Sequence, residues 1–312
     1  MKEPTVLILL AAYNGAGYIR PMVDSLLAQD YPSIQIILSD DGSSDATPEI
    51  LEQYASDHPR TIKHYHSGQR FGCAQKHFVH LLDTFRDADY IMFCDQDDIW
   101  HSDKVRRTLA LMRQTEVPGV PALVHTDLRV VDRDGEERSP SFCEQSDLDG
   151  SRTALRQLLV QNVVTGCTVM INRALAELAC SVDLACAEML MHDWWLALLA
   201  SACGSIGFLN EATIDYRQHG NNSVGAKDVR SPAYLLHRLR SQKMRDAMSR
   251  AAEQAENFLH CYSQVLSEEQ KELVAAFAET KDAGILRRDR IYLQYGLLKK
   301  GLVRRTAQLL GL

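Results

Sequence analysis

Three carboxylates lie within four residues in the segment 95–98, Asp-Gln-Asp-Asp. The segment follows residues 90–94, an apolar run that predicts a buried strand. Like charges packed side by side repel one another unless a cation neutralises them. Carboxylate oxygens are the ligands that Mg²⁺ and Mn²⁺ prefer, with waters or phosphate oxygens completing the coordination. Asp95 and Asp97 therefore predict a divalent cation that bridges the phosphates of a bound diphosphate.

Two further polar clusters follow predicted strands. Tyr13 and Asn14 end the apolar run 5–12, and the segment 40–45, Asp-Asp-Gly-Ser-Ser-Asp, ends the run 34–38. Ligands bind at the carboxyl ends of the strands in open parallel sheets, so all three clusters predict one binding site. For the segment 40–45 alone, an alternative stays open: Asp, Ser and Gly also cap and turn ordinary loops.

The first hundred residues alternate between strand-like and helix-like patterns. Continuous apolar runs predict strands at 5–12, 34–38, 62–65 and 90–94, and helical periodicity predicts helices after 18, after Thr47-Pro48 and over 74–85. A strand that is apolar throughout is typical of a sheet covered on both faces by helices. The pattern predicts an α/β fold with a mostly parallel central sheet.

The second half of the chain is less regular. We expect strands at 122–131, 166–171 and 212–217, and helices from Ala174 and over 192–202. From about Ser231 the composition shifts to helix formers with few turn signals. This shift predicts a catalytic α/β domain over 1–230, followed by a helical carboxyl-terminal region over 231–312.

The motifs at 12–14 (Ala-Tyr-Asn), 39–45 and 94–100 (Cys-Asp-Gln-Asp-Asp-Ile-Trp), in this order and at these separations, resemble those of the family 2 glycosyltransferases with the GT-A fold. The resemblance covers roughly residues 4–225. It implies that Asp41 contacts the nucleotide base, that Asp95 contacts ribose and metal, and that Asp97 contacts metal. It also implies that Ala12, Tyr13 and Asn14 line the site of the nucleotide sugar.

The resemblance also points to a catalytic base. Inverting members of the family place a carboxylate at the start of a later helix, which Asp193 in the segment 191–195, Met-His-Asp-Trp-Trp, matches. Such a base removes the proton of an acceptor hydroxyl as that oxygen attacks the anomeric carbon. Trp194 would offer a flat face to the acceptor sugar. Alternatively, Asp193 is a helix N-cap and both tryptophans are core residues.

Four further residues are weaker candidates. The segment 216–219, Tyr-Arg-Gln-His, resembles a late family motif in which the histidine is a metal ligand and the arginine meets the diphosphate, which implies these roles for His219 and Arg217. Arg70 and Lys76 are candidates for donor contacts. Alternatively, each of these four residues is an ordinary solvated residue without a role in the site.

Composition narrows the function classes. The 312 residues carry a net charge of −7, so the chain has no overall basic character for binding nucleic acid. No apolar run is long enough to span a bilayer, and the amino terminus lacks the features of a signal peptide. The eight cysteines form no C-x-x-C pair. We expect a cytoplasmic protein with reduced thiols.

The segment 281–312 combines eight basic and two acidic residues with regularly spaced Leu, Ile and Val. This pattern is consistent with an amphipathic helix on an anionic membrane surface, which would place the protein peripherally on the inner face of the cell membrane. The alternative is a helix that packs its apolar stripe on the catalytic domain or on a second copy in a homo-oligomer.

The expected function is inverting, metal-dependent transfer of a hexosyl group from a nucleotide-diphosphate donor to a saccharide or lipid-linked saccharide acceptor of a surface polysaccharide. The motifs at 95–100 and 192–195 look most like the rhamnosyltransferase-type subgroup, which suggests dTDP-rhamnose as donor. The chain lacks the Gln-x-x-Arg-Trp element of the processive synthases, which favours addition of one or a few sugars. Two alternatives are a non-catalytic nucleotide-sugar-binding module and a nucleotidyltransferase, although the first loop lacks the basic, Gly-rich pattern of the latter.

Overall fold

The computed structural model describes residues 3–185, 187–218 and 243–310. Its strands are β1 (Val6–Ala12), β2 (Ile34–Asp40), β3 (Ile62–Tyr65), β4 (Tyr90–Asp95), β5 (Ile99–Trp100), β6 (Ala122–Val131), β7 (Glu137–Ser139), β8 (Met170–Asn172) and β9 (Ser205–Arg217). Its helices are α1 (Ile19–Leu27), α2 (Thr47–Asp57), α3 (Ala74–Phe85), α4 (Lys104–Thr115), α5 (Phe142–Gln145), α6 (Leu155–Val160), α7 (Arg173–Ala179), α8 (His192–Cys203), α9 (Lys243–Tyr262), α10 (Glu268–Ala278), α11 (Ile285–Gln294) and α12 (Leu302–Leu310).

One sheet organises the molecule, with the strand order β3-β2-β1-β4-β8-β6-β9-β5 and β7 paired to β6. The strands β1, β2, β3 and β4 are parallel to their neighbours within this group, whereas β8 runs antiparallel to both β4 and β6. The mostly parallel α/β fold predicted from the apolar runs is confirmed.

The register of β1 explains why the polar clusters meet. Ala12 pairs with Asp40 of β2, and Ala11 pairs with Asp95 of β4. Because these neighbouring strands are parallel, the three loops that follow them leave the sheet at one edge. The register therefore brings the three polar clusters to the same edge of the sheet, at the carboxyl ends of the strands.

Two apolar layers cover the two faces of the sheet. One contains buried residues of α1, α2 and α4, and the other contains those of α3, α6, α7 and α8 together with the carboxyl-terminal helices. Trp195 of α8 packs against Phe258 and Tyr262 of α9, with ring centroids 5.5 and 5.9 Å apart. The carboxyl-terminal helices thus share a core with the helix that begins near Asp193.

Two predicted elements differ in the structure. The strand expected at 166–171 is a short 3₁₀ helix, Gly166–Thr168, followed by β8. The strand expected at 212–217 is the second half of the longer β9, which shifts register against β6 beyond Thr126. The expected boundary between 230 and 231 falls outside the described residues.

No helix among the described residues combines the length and the apolar character that crossing a membrane requires.

Candidate active site

The loop after β1 is held to the acidic loop after β4 through Gln96. The Gln96 amide accepts a hydrogen bond from Tyr13 N at 2.8 Å and donates one to Tyr13 O at 2.9 Å. A Cβ on residue 15 would lie 2.1 Å from Gln96 Oε1, so Gly15 is what allows this approach. The two loops therefore form one rigid unit at the edge of the sheet.

Asn14 joins the same unit to the loop after β2. Its backbone N–H donates to Ser43 Oγ and its side-chain oxygen accepts from Ser44 N, both at 2.8 Å. Asn14 has a φ of 48°, a left-handed conformation that Asn tolerates better than most residues. Its side chain orders the loops around the predicted donor site.

Asp41 is almost fully buried, and its carboxylate accepts hydrogen bonds from the backbone N–H groups of Phe71 and Gly72. Its own N–H donates to Ala12 O at 2.8 Å. Asp41 therefore connects β1 and β2 to the loop between β3 and α3. The Asp41 carboxylate therefore faces that loop and not solvent. The family resemblance implies that this carboxylate contacts the nucleotide base.

Arg70, in the same loop, lies over the exposed ring of Tyr13. Its guanidinium carbon is 5.0 Å from the ring centroid, and its Nη2 donates to the Tyr13 hydroxyl. Tyr13, Asp41 and Arg70 are thus brought together, as the sequence predicts. Lys76 is exposed on the first turn of α3, and no contact among the described residues joins it to this cluster.

The acidic loop brings several ligand-type side chains together at the edge of the sheet. Potential ligand atoms of Asp95, Asp98 and Cys167 lie within 4.8 Å of one another. Asp98 is fully buried, its Oδ1 accepts from Arg217 N at 3.3 Å, and its Oδ2 has no hydrogen-bond partner among the described residues. An orphaned buried carboxylate oxygen is costly, so the donor set fits a divalent cation.

Burial and like charge act on the acidic loop in the same direction. Burial raises the pKa of Asp95 to about 7, and the charges of Asp97 and Asp193 add to the effect. Burial, with Asp95 and Asp97 nearby, raises the pKa of Asp98 well above its usual range. A cation would lower both pKa values by favouring the ionised carboxylates.

A buried lysine lies behind this loop. The Lys104 ammonium is 3.4 Å from Thr213 Oγ1 and 4.6 Å from the centre of the Trp100 ring. Burial lowers its pKa to about 8 against the opposing effect of Cys167, Cys94 and Asp98. The sequence analysis missed Lys104, because a lysine at the start of an amphipathic helix usually faces solvent.

Asp193 lies in the first turn of α8 and is 7% exposed. Its Oδ1 accepts hydrogen bonds from Trp194 N and, at 3.3 Å, from Asn162 Nδ2. Burial raises its pKa to about 7 against these hydrogen bonds. Met191 occupies the N-cap position of α8, so the alternative that Asp193 is the N-cap is wrong.

The Asp193 carboxylate lies beside the acidic loop: a Cβ on Gly166 would be 3.4 Å from Asp193 Oδ2, and potential ligand atoms of the next residue, Cys167, lie within 4.8 Å of those of Asp95 and Asp98. His192, next to Asp193, packs between Phe78 and Phe93, and burial lowers its pKa to about 3. A ring whose pKa is this low is a weak proton acceptor near pH 7, which leaves Asp193 as the stronger base of this segment.

The two tryptophans have different environments. Trp195 is buried in the core, whereas Trp194 is partly exposed and donates its indole N–H to Leu158 O at 2.7 Å. The alternative that the tryptophans are core residues is therefore correct for Trp195. Trp194 keeps an accessible part beside Asp193 and stays a prediction for acceptor binding.

Arg217 ends β9 at the acidic loop. Its Nε donates to Asp97 O at 3.2 Å and its Nη1 donates to Arg133 O at 2.7 Å. The Arg217 guanidinium therefore braces the backbone of the acidic loop, and its contact with the diphosphate stays a prediction. His219 lies outside the described residues, so its predicted role as a metal ligand stays a prediction.

Residues 7–178 match the glycosyl transferase family 2, a match that spans more than half of the chain. With the fold and the loops described above, this match shows that the chain belongs to glycosyl transferase family 2. The expected family and the GT-A-like fold are confirmed.

Characterised and uncharacterised relatives align with about 70% of the chain. The dTDP-rhamnosyl transferase RfbG of Shigella flexneri is 29% identical over 225 residues, which cover 70% of this chain and 74% of RfbG. The putative teichuronic acid biosynthesis glycosyltransferase TuaG of Bacillus subtilis is 28% identical over 231 residues, covering 72% and 82%. An uncharacterised protein of Mycobacterium tuberculosis is 28% identical, and the alignment covers 69% of this chain but 59% of that protein.

Solved glycosyltransferases share the fold. S. aureus TarS 1–349 in complex with UDP-GlcNAc superposes with a TM-score of 0.59 at 16% identity, over 93% of this chain and 80% of TarS 1–349. The mannosyltransferase PcManGT from Pyrobaculum calidifontis, in complex with GDP-Man and Mn²⁺, gives a TM-score of 0.53 at 17% identity, over 99% and 86%. At these identities the likeness shows the fold alone.

Proposed function

We propose that the chain is an inverting, metal-dependent glycosyltransferase that moves a hexosyl group from a nucleoside-diphosphate sugar to a hydroxyl of a saccharide acceptor. One observation carries the proposal: Gly166 lies against the buried Asp193 carboxylate, and the next residue, Cys167, lies against Asp95 and Asp98, so Asp193 is beside the acidic loop. A base on one side and a diphosphate-binding loop on the other are what inversion requires.

We assign donor binding to the unit formed by the loops after β1, β2 and β4, together with the loop between β3 and α3. Tyr13 and Arg70 form the exposed part of this unit, and Asp41 fixes the position of the loop that carries Arg70. Asp95 and Asp97 would hold the metal, with His219 as a further ligand. A divalent cation held there would neutralise the charge that develops on the leaving diphosphate.

The acceptor hydroxyl gives its proton to Asp193. As the proton leaves, the hydroxyl oxygen forms a bond to the anomeric carbon, and the bond from that carbon to the diphosphate oxygen breaks on the opposite face. A carboxylate with a pKa raised to about 7 is a stronger base than an ordinary aspartate and is still about half ionised at pH 7. Asn162 and the start of α8 hold the carboxylate in place, and Trp194 is assigned to the acceptor sugar.

The donor proposed is dTDP-rhamnose and the pathway is synthesis of a bacterial surface polysaccharide. The name of RfbG supports the donor, and the names of RfbG and TuaG support a pathway that builds glycans. The acceptor would then be a saccharide or a lipid-linked saccharide, reached from the cytoplasm.

A donor panel tests this proposal. Purified protein with Mn²⁺ is incubated with dTDP-rhamnose, UDP-GlcNAc and GDP-mannose, and nucleoside-diphosphate release and thermal unfolding are measured. We expect dTDP-rhamnose to raise the unfolding temperature and to be hydrolysed slowly without acceptor, because ligands that bind only the folded state stabilise it. Stabilisation by UDP-GlcNAc or GDP-mannose alone would contradict the proposed donor.

We also propose that α11 and α12 contact an anionic membrane. Large apolar side chains on these two helices remain exposed, namely Ile285, Leu286, Leu293, Leu302, Val303 and Leu310. Arg287, Arg290 and Arg305 are exposed among them. Other parts of the segment pack inward: Arg304 donates to Asp147 O, and Leu297 is fully buried. The segment therefore divides between a packed side and an exposed apolar and basic side.

Two leucines test the membrane contact. Replacing Leu286 and Leu302, which are 88% and 82% exposed, with glutamate removes apolar area and adds repulsion from anionic lipid. We expect co-sedimentation with phosphatidylglycerol vesicles to fall at least about tenfold, while transfer to a lipid-free acceptor is kept. Val117→Glu, at an exposed valine elsewhere, is the matched control. Equal sedimentation of the double variant and the control would contradict the membrane contact.

A further inference from the structure

A second group of ligand-type side chains lies away from the acidic loop, at the outer edge of the sheet. His64 and His66 are two residues apart at the end of β3, which is the edge strand, and Glu52 lies on α2. Potential ligand atoms of these three residues all lie within 4.8 Å of one another. The proposed transferase chemistry uses none of them.

The distances in this group fit a small transition-metal ion. Glu52 Oε2 lies 2.8 Å from His64 Nδ1 and 3.7 Å from His66 Nε2. A tetrahedral zinc ion about 2.0 Å from each donor needs donors about 3.3 Å apart. The 2.8 Å distance is a hydrogen bond between His64 and Glu52, and the His64 and His66 ligand atoms lie within 4.8 Å of each other, so a metal ion would replace the shared proton after small side-chain rotations.

The environment of each donor supports binding. The His64 side chain is 4% exposed, and its Nε2 is buried without a hydrogen-bond partner among the described residues, so Nδ1 is the ring nitrogen that can reach a cation. The side chains of His66 and Glu52 are 71% and 61% exposed. One ligand is therefore held in place by packing, and the other two give an ion access from solvent.

We propose that Glu52, His64 and His66 form a second cation site, which takes a transition-metal ion of the zinc class with water in the fourth position. Two imidazoles and one carboxylate suit Zn²⁺, whereas the acidic loop supplies mainly carboxylates, which suit Mg²⁺ or Mn²⁺. The two sites therefore differ in the metal that each prefers.

The position of the site gives it a structural role. His66 directly follows β3 and begins the loop that carries Arg70, Phe71 and Gly72 toward Tyr13 and Asp41. A zinc ion at this point ties α2, β3 and the start of that loop together. The site would stabilise the loop without taking part in the reaction.

Zinc titration of the full-length protein tests the proposal. Excess Mg²⁺ occupies the acidic loop, and Zn²⁺ binding is followed by calorimetry and by thermal unfolding. We expect one Zn²⁺ per chain, and we expect its affinity to fall at least about tenfold in His66→Ala and in Glu52→Gln, because even the loss of a residue that only orients a ligand costs this much. The unfolding temperature should rise with Zn²⁺ in the wild type and stay unchanged in His66→Ala.

Two control variants separate this site from others. His260→Ala removes an exposed histidine of α9, and Asp97→Ala alters the acidic loop; both should bind Zn²⁺ as the wild type does. Because the side chains of His66 and Glu52 are mostly exposed, both variants are expected to fold. Unchanged zinc affinity in His66→Ala, or loss of zinc binding in Asp97→Ala alone, would overturn the proposal.

Discussion

Replacing Asp193 with asparagine is expected to reduce sugar transfer by about 10²- to 10⁴-fold, because the amide cannot accept the proton of the acceptor hydroxyl. The asparagine side-chain oxygen can still accept hydrogen bonds from Trp194 N and Asn162 Nδ2, so the start of α8 should keep its structure. Transfer is measured as product formed per minute at saturating donor, with donor affinity and unfolding temperature measured in parallel.

The pH profile gives this prediction a second readout. Burial raises the pKa of Asp193 to about 7, and the base acts in its deprotonated form. Wild-type kcat/KM should therefore fall about tenfold for each pH unit below this value, and the residual activity of Asp193→Asn should lack this dependence. Normal transfer by the variant, or the same acid limb in both proteins, would place the base elsewhere.

Replacing Asp97 with alanine is expected to reduce transfer at least about 100-fold, because a ligand of the cation that stabilises the leaving diphosphate is lost. The buried, mutually repelling carboxylates of the acidic loop support this expectation. EDTA should produce a similar loss in the wild type, and added Mn²⁺ should restore wild-type activity more fully than activity of the variant.

Asp57→Ala is the matched control for this experiment, since Asp57 is an exposed aspartate at the end of α2. It should retain wild-type activity and metal response. If transfer continues undiminished in EDTA, or if Asp97→Ala is as active as the control, the metal-dependent mechanism is excluded.

The sequence predicted well which loops meet at one edge of the sheet, because their position follows from strand direction. The continuous apolar runs of β1, β2 and β4 required burial on both faces, and parallel pairing then placed Tyr13, Asp41 and Asp95 at one edge. Asp193 could be assigned only through the family resemblance. Asp193 is far from the acidic loop along the chain, so no local sequence pattern links the two.

The sequence did not predict the residues that support the site. Gln96 lies in the middle of the acidic motif, but its two hydrogen bonds to Tyr13 depend on the pairing of β1 with β4. Asp98 is buried and accepts a hydrogen bond from Arg217, which is distant along the chain. Such contacts depend on tertiary packing, which short-range periodicity does not encode.

Local patterns also failed where the backbone leaves the sheet. The apolar residues at 166–171 read as one strand, but Gly166 lies against His192 and Asp193 and the chain turns there before β8 begins. A Cβ at residue 166 would lie 3.1 Å from His192 Nε2, which gives this glycine a packing role beside the proposed base. Hydrophobic periodicity does not indicate this turn, because the turn lies at a contact with α8.

The anomeric configuration of the transferred sugar tests the central claim most directly. Purified protein, Mn²⁺, dTDP-rhamnose and a saccharide acceptor are incubated, and the glycosidic linkage formed is determined by NMR spectroscopy. We expect one dTDP to be released per sugar transferred and a linkage of configuration opposite to that of the donor. A linkage that retains the donor configuration would contradict direct displacement assisted by Asp193.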